Sequence, residues 1–448
     1  MRLRTSALAI GAALALAGAT AGCSSSGSGS PSGSAAIPKS LTVWRMGPST
    51  ASEVKWMNGV FAQFHRQYSQ YKNTKINVVW IPWADRTTDW QKALATGKNA
   101  PDITELGNTD TPAEAALGML ANIAPQVNSW SSKSDLVPGM LANDTSGSNI
   151  YGVPWFGGVR GIWYRKNQFQ AAGISSPPTT WAQLMSDAKA LMKKYPGSFG
   201  IGAPSNYDYA LASFIWGAGG QVAVKQGGKY VGELTTPQSE AGIKFYVDMT
   251  TTYKVSPAKY IGQTELGNPG ATSGGSNEDF GLGRLGMYID GPWAESEFPA
   301  NSTDKSAWAS FPIPSENGPN PAPAFAGGSD LGIFATSKYK TADWDLIQLM
   351  DSEANSTTFA NLQGFFPPYT SKLTGGAYSS NQLMSGFAKA ASTTQISPLN
   401  AKNWATADST DYVIPTMIKS LMNGAPLAAT VSKANTELQN VLNTGSES

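Results

Sequence analysis

The chain has 448 residues, with 32 Lys or Arg against 31 Asp or Glu, 14% charged residues overall, one Cys and one His. So near-neutral a chain carries no electrostatic footprint for nucleic acid, and one Cys with one His excludes an internal disulfide and the usual zinc clusters. The length exceeds what one hydrophobic core usually holds, so two domains are expected.

Arg2 and Arg4 open the chain, Ala7–Ala19 is an apolar run, and Thr20-Ala21-Gly22 are small. This is the three-part pattern of a secretory signal peptide, too short and too rich in Gly and Ala for a membrane-spanning helix. Cleavage before Cys23 would make that residue the new N-terminus. The stretch resembles a bacterial lipoprotein signal, in which this cysteine thiol is acylated, although Thr20 stands where the pattern usually has an aliphatic residue. An ordinary secretory signal with an incidental cysteine is the alternative. Residues 23–39 then hold the acylated Cys23 and a flexible Ser/Gly tether. Losing residues 1–22 removes two Arg and no acid, which leaves 30 basic against 31 acidic residues.

From Leu41 the chain alternates short apolar strands with amphipathic helices. "LTVW" (41–44), "INVVWIP" (76–82) and "DITELG" (102–107) read as strands. Between them, residues 52–70 put Val54, Met57, Phe61, Phe64 and Tyr68 on one helical face, and 90–95 form a short helix ending at Gly97. A helix then starts with Thr111 as cap and Pro112 at its first position. Strand and helix in alternation predict a parallel sheet. Further on, "GIWYRKNQF" (161–169) is strand-like and leads into a helix ending at Gly173. Thr179 or Thr180 caps a helix whose apolar stripe runs from Trp181 to Tyr195, and Pro196-Gly197 ends it. "LGMYID" (285–290) and "LGIFATS" (331–337) are later strands, and helices near 342–353 and 410–422 close the chain. No tandem repeat is visible. "GLGRLG" (281–286) matches the dinucleotide-binding fingerprint, but it precedes a strand instead of joining a strand to a helix, so its glycines are read as a turn. There is no Walker A sequence and no G-x-S-x-G.

Three stretches carry a family resemblance: "APDITELGNTDTPAEAALGMLANI" (100–123), "YGVPWFGGVRGIWYRKNQFQAAGISSPPTTWAQLMSDAKAL" (151–191), and "FGLGRLGMYIDGPWAESEFP" (280–299) followed by "AFAGGSDLGIFATS" (324–337). In order and spacing they resemble the family 1 extracellular solute-binding proteins, the carbohydrate receptors of ABC importers. The resemblance implies an α/β, two-lobe periplasmic-binding-protein fold with a multi-crossing hinge and an interlobe ligand cleft. It implies lobe one at 40–155 plus 326–366 and lobe two at 156–325 plus 367–448. The crossovers are expected near Pro154–Gly158, Phe325–Gly327 and Phe366–Tyr369, all rich in Gly or Pro. It implies no cofactor, no metal and no catalysis. The expected partners are a carbohydrate, permease subunits in the membrane, and the membrane itself through the lipid anchor. The expected form is a monomer on the outer face of the cytoplasmic membrane.

A pyranose presents hydroxyls at its edges and C–H groups on its faces, so a sugar site needs Asp, Asn, Glu or Arg at the edges and Trp or Tyr under the faces. Candidates lie at strand ends. The resemblance matches Asn108 and Asp110 to residues that reach sugar hydroxyls, and Trp293 and Trp404 to stacking residues. Trp216 with its neighbouring glycines, Gly328, Ser329 and Asp330 at a crossover, Trp44 and Trp83 at strand ends, Asp290, and Arg160 complete the set. Asp290 is also suited to bracing its turn, Asn108 and Asp110 to an Asx turn, and Trp216 to the core. Several stacking tryptophans favour two or more rings, hence a di- or oligosaccharide. Two other functions fit the composition. A lipid-anchored glycoside hydrolase would need two carboxyls flanking one bond, with Glu105, Asp110, Asp279, Asp290 and Glu295 as candidates. A non-sugar solute receptor or adhesin would bind no saccharide.

Overall fold

The computed structural model describes residues 36–268, 273–373 and 376–445. The leader, Cys23 and most of the tether lie outside the described residues.

β1 (Ser40–Met46) pairs in parallel with β2 (Lys75–Ile81) along its whole length and with β3 (Ile103–Gly107) on its other side. This is the parallel arrangement the alternation predicts. The connections are helical: α1 (Ala51–Gln67) follows β1, α2 (Arg86–Thr96) follows β2, and α3 (Thr111–Ala116) follows β3. The Thr50 side chain caps α1 by accepting from Glu53 N, and Gly97, left-handed at φ 62°, closes α2. The long return strand Ala324–Ile333 adds antiparallel to β3. It extends further back towards the N-terminus than the expected 331–337, because its first half pairs with other strands.

A second sheet is ordered Trp308–Phe311, Gly161–Arg165, Leu285–Asp290, Phe199–Ile201. The strand expected over 161–169 stops at Arg165, where the helix Lys166–Ala171 begins. Each sheet has its own core. One gathers Leu41, Phe64, Trp155, Leu331 and Ile347; the other gathers Leu184, Leu211, Ile243, Ile289, Ile418 and Leu438. These are the two lobes of an α/β fold. The chain ends in two helices, Val413–Met422 and Leu427–Leu442.

The segments expected to carry the chain between the lobes lie side by side. Val153–Val159 runs out of the first sheet and is followed, after Arg160 alone, by Gly161–Arg165 in the second. The return strand pairs with it from Ala326↔Val159 to Leu331↔Val153. Phe366 closes the other edge, exchanging two 2.7 Å backbone hydrogen bonds with Gly157. Phe156 and Phe365 stack across the same joint, ring centroids 4.3 Å apart. Gly328 needs its lack of a side chain here: its φ is 154° and a Cβ would come within 2.4 Å of Phe156 O.

One polar cluster is built into the first lobe beside this joint. Arg45 at the end of β1 pairs with Glu53 of α1 at 2.5 Å and with Glu105 of β3. Glu105 also accepts from Met46 N at 2.7 Å, and Glu53 accepts from Gln363 at 3.2 Å. The guanidinium sits among Trp155, Phe156 and Phe359, 5.4 to 5.9 Å from their centroids. Removing one member of such a cluster strands the others unpaired, at a cost of about 3–5 kcal/mol. The cluster also corrects the expected stripe of α1. Glu53 points inward to Arg45 and Val54 is exposed, so the buried face runs Glu53, Trp56, Met57, Val60, Phe61, Phe64.

Candidate functional site

The first lobe offers the loops after β2 and β3. Trp83 is 39% exposed. Arg86 donates to its carbonyl at 2.8 Å and forks onto both oxygens of Asp110, at 2.8 and 3.0 Å. Gly107 lets this pair close up, since a Cβ there would lie 2.8 Å from Asp110 Oδ2. The pair sets a planar guanidinium and carboxylate beside an indole ring at a strand end, residue types suited to a hydroxylated ring.

The second lobe answers with the start of the helix Asp208–Gly217 and the loop after Leu285–Asp290. The Tyr209 hydroxyl donates to Asp408 at 3.4 Å, and its ring stacks on Phe325 at 4.6 Å. Trp293 is half-buried and stacks on Phe365 at 5.5 Å. It lies directly over the crossing strand: a Cβ on Gly158 would meet its ring at 2.4 Å. Trp293 and Phe365 also border a cavity of about 560 Å³ whose other walls include Glu295, Asn361, Gln363 and Tyr378. Arg160 stands between these rings and donates to the Tyr207 hydroxyl at 2.8 Å.

The carboxyls of this region are pushed towards their neutral form. Burial raises Glu265 to about 7, helped by the charge of Asp290 and opposed by Arg160. Burial also raises Asp208 and Asp408, and the charge of Asp408 raises Asp208 further. In the first lobe Glu114 rises to about 7, by burial and then by the charge of Asp110. A carboxyl that keeps its proton near neutrality can donate and accept at once, as a sugar hydroxyl does. Burial lowers Arg86 but Asp110 more than offsets it, and Tyr209 and Asp408 add to the rise, so the second lobe's groups lie within electrostatic reach of Arg86.

The sequence candidates therefore divide. Trp83 and Asp110 come together at Arg86 in the first lobe, and Arg160 and Trp293 come together beside the crossing strand. Asp290 is 1% exposed and accepts from Tyr207 at 3.1 Å, Tyr288 at 2.6 Å and Gly291 N at 2.7 Å, so it braces the turn under Arg160. Asn108 donates to Ala326 O at 2.8 Å, and its N–H bonds Gly328 O, which ties the loop to the return strand. Ser329 is buried within that strand's pairing. Trp44, Trp216 and Trp404, at 5, 4 and 2% exposed, are core side chains, each enclosed by its own lobe. For Trp216 the reason is local. Its helix is buried on every side, so the cleft meets the helix start, not the end where Trp216 sits. Arg86, Tyr207, Tyr209, Phe365 and Asp408 were not singled out from the sequence. "NYDY" (206–209), two tyrosines flanking an acid at a helix start, was the available signal.

Asp330 lies behind the cleft. It accepts from Thr111 at 2.6 Å and faces Asp144 across the space left by Gly152. Burial raises both carboxyls, Asp330 to about 6 and Asp144 further, where the charge of Asp330 adds to the burial.

Among the described residues, no group of three or more His, Cys, Asp or Glu is placed to hold a metal ion, and no helix is long and apolar enough to cross a membrane. The sequence model described as bacterial extracellular solute-binding protein matches residues 47–356, more than half of the chain. The chain is 27% identical over 399 residues to the diacetylchitobiose binding protein DasA of Streptomyces coelicolor, covering 86% of each. Its fold is similar to the GacH receptor of Streptomyces glaucescens (TM-score 0.75, 18% identity, 91% of this chain and 100% of that one). It is also similar to maltose-bound MalE3 of T. maritima (TM-score 0.74, 20% identity, 89% and 99%).

The acid pair sets a pH dependence. Both carboxyls bind protons more tightly folded than unfolded, where Asp titrates near 4. Their contribution to stability is therefore full below about 4 and is lost as pH rises through about 6 and above. Asp144→Asn keeps a donor to Asp330 without titrating. Its melting temperature should fall less than the wild type's between pH 5 and pH 8; equal falls would show that the pair does not titrate as described.

Proposed function

The chain belongs to the bacterial extracellular solute-binding proteins, and from that premise we propose that it captures a di- or oligosaccharide between its lobes, closes on it and delivers it to the permease of an ABC importer. What supports this is that the Arg86–Asp110 fork beside Trp83 in the first lobe feels the charges of Tyr209 and Asp408 in the second, so that these groups would form two walls of one cleft. Each wall offers an aromatic face beside planar hydrogen-bonding groups, as a pyranose requires. Solute bound to both walls would favour the closed state by the contacts that exist only there. The likeness to a diacetylchitobiose binding protein supports a ligand of at least two rings.

The hydrolase reading has less to stand on. Glu105 is held by Arg45, Asp110 by Arg86, Asp279 by Arg284 and Lys259, and Asp290 by three donors. A glycosidase needs two carboxyls free to flank one bond. Cys23 would tether the receptor to the membrane as an acylated N-terminus, through its Ser/Gly spacer.

Residues 35–448 screened against di- and oligosaccharides should show a rise in melting temperature with at least one sugar, recovered intact. Ligand at 100 times its dissociation constant adds about 2.7 kcal/mol. Trp293→Ala should weaken that binding by about 1–3 kcal/mol while the protein still melts cooperatively. No shift with any saccharide, or reducing ends released during the screen, would overturn the reading. For the anchor, the full chain expressed in a bacterium should fractionate with membranes and Cys23→Ala should be released into the medium; membrane retention of the variant would contradict acylation at Cys23.

A further inference from the structure

Arg160 is the single residue between the strands Val153–Val159 and Gly161–Arg165. Its guanidinium carbon lies 4.8 Å from the centroid of Tyr209, 5.2 Å from Tyr207, 5.2 Å from Trp293 and 5.3 Å from Phe325. All four fall within the ~6 Å at which a cation is attracted to a ring face. The rings come from separate places: the start of the helix Asp208–Gly217, the loop after Asp290, and the return strand Ala324–Ile333. Several aromatic faces turned on one point form the cage that recognises quaternary and methylated ammonium groups. Acidic groups surround the cage as well. Asp290 accepts from the same Tyr207 that receives the Arg160 donor. Asp208, Glu265 and Asp290 are each held lower by the Arg160 charge than burial alone would leave them. Cage and carboxyls make a cation site, and the cation in it belongs to the chain.

We infer that Arg160 sets a charge limit on the solute: by filling the aromatic cage with the protein's own cation, it shuts the cleft to cationic solutes. The inference rests on the reading of the interlobe space as the solute site, and it adds the residue that decides which solutes enter. It uses repulsion, since a ligand cation would have to meet a guanidinium already seated. It also gives the relay from Arg160 through Tyr207 to Asp290 a purpose. With Nε bound to Tyr207, and Tyr207 bound to a carboxylate that also accepts from Tyr288 and Gly291 N, the guanidinium is fixed within the cage.

Choline and tetramethylammonium serve as probes because they carry the charge without sugar hydroxyls. Each is titrated into the wild type, Arg160→Ala and Arg160→Gln, with calorimetry giving the dissociation constant and tryptophan fluorescence reporting on the cage. Arg160→Gln is the second variant because its amide retains a donor for Tyr207. Melting curves establish that each variant is folded. Arg160→Ala should bind choline at least about tenfold more tightly than the wild type, on the scale of a desolvated cation–π contact, with Arg160→Gln in between. If Arg160→Ala does not fold, Arg160→Gln decides alone. A folded variant that binds choline no better than the wild type would overturn the inference, as would a wild type that binds it equally well. These titrations contain no saccharide, so a failed sugar screen and an empty cage remain separate results.

Discussion

Everything at the candidate site depends on three chain segments sharing backbone hydrogen bonds between the lobes. Val153–Val159, the return strand and Phe366 are paired edge to edge, and stretching any one of them breaks bonds to its neighbour. Any motion of the lobes would be confined to changes the small residues at the joint can absorb, at Gly157, Gly158, Gly327 and Gly328. The same joint sets the site. Arg160 follows the first segment, Phe325 begins the second and Phe365 precedes the third, so all reach one place, with Trp293 laid over Gly158. A side chain at Gly158 would lift that ring by clash with it.

Around the joint, polar groups are divided between holding the protein and facing outward. Asp290, Asn108, Glu105 and Asp330 spend their hydrogen bonds internally. Trp83, Arg86, Tyr209, Asp408 and Trp293 are the groups proposed to meet the solute. The internal set makes the outward set rigid: Asp290 fixes Tyr207, and Tyr207 fixes Arg160. Rigid donors and acceptors discriminate more sharply, because an ill-matched ligand leaves them unpaired at a cost of about 1–3 kcal/mol each. Glu265 and Glu114 sit near their neutral form, because burial outweighs the opposing charges of Arg160 and Arg86.

Strands and helices of the first lobe were legible because buried parallel strands read as apolar runs and their helices carry caps. The segment ends were less so. The strand Ala324–Ile333 was expected to start at 331, since "AFAGGSD" has the composition of a loop and becomes a strand only through its partners. Val54 fitted the period of α1, but the inward turn of Glu53 is dictated by Arg45, distant in structure-building terms and invisible to periodicity. For the site, residue type was a poor guide to direction. Trp216 and Trp404 looked like stacking rings and are core, while the half-buried Tyr209 and Trp293 carry the aromatic faces. Which side of a buried helix meets a cleft is decided by packing against the second lobe.

The central claim is that the lobes close on a bound saccharide. The direct measurement is small-angle X-ray scattering on residues 35–448, with and without a saccharide shown to bind. The account predicts a smaller radius of gyration at saturation, with a matching change in tryptophan fluorescence. Saturable binding with an unchanged radius of gyration would contradict it and leave a rigid binding surface in place of a closing receptor.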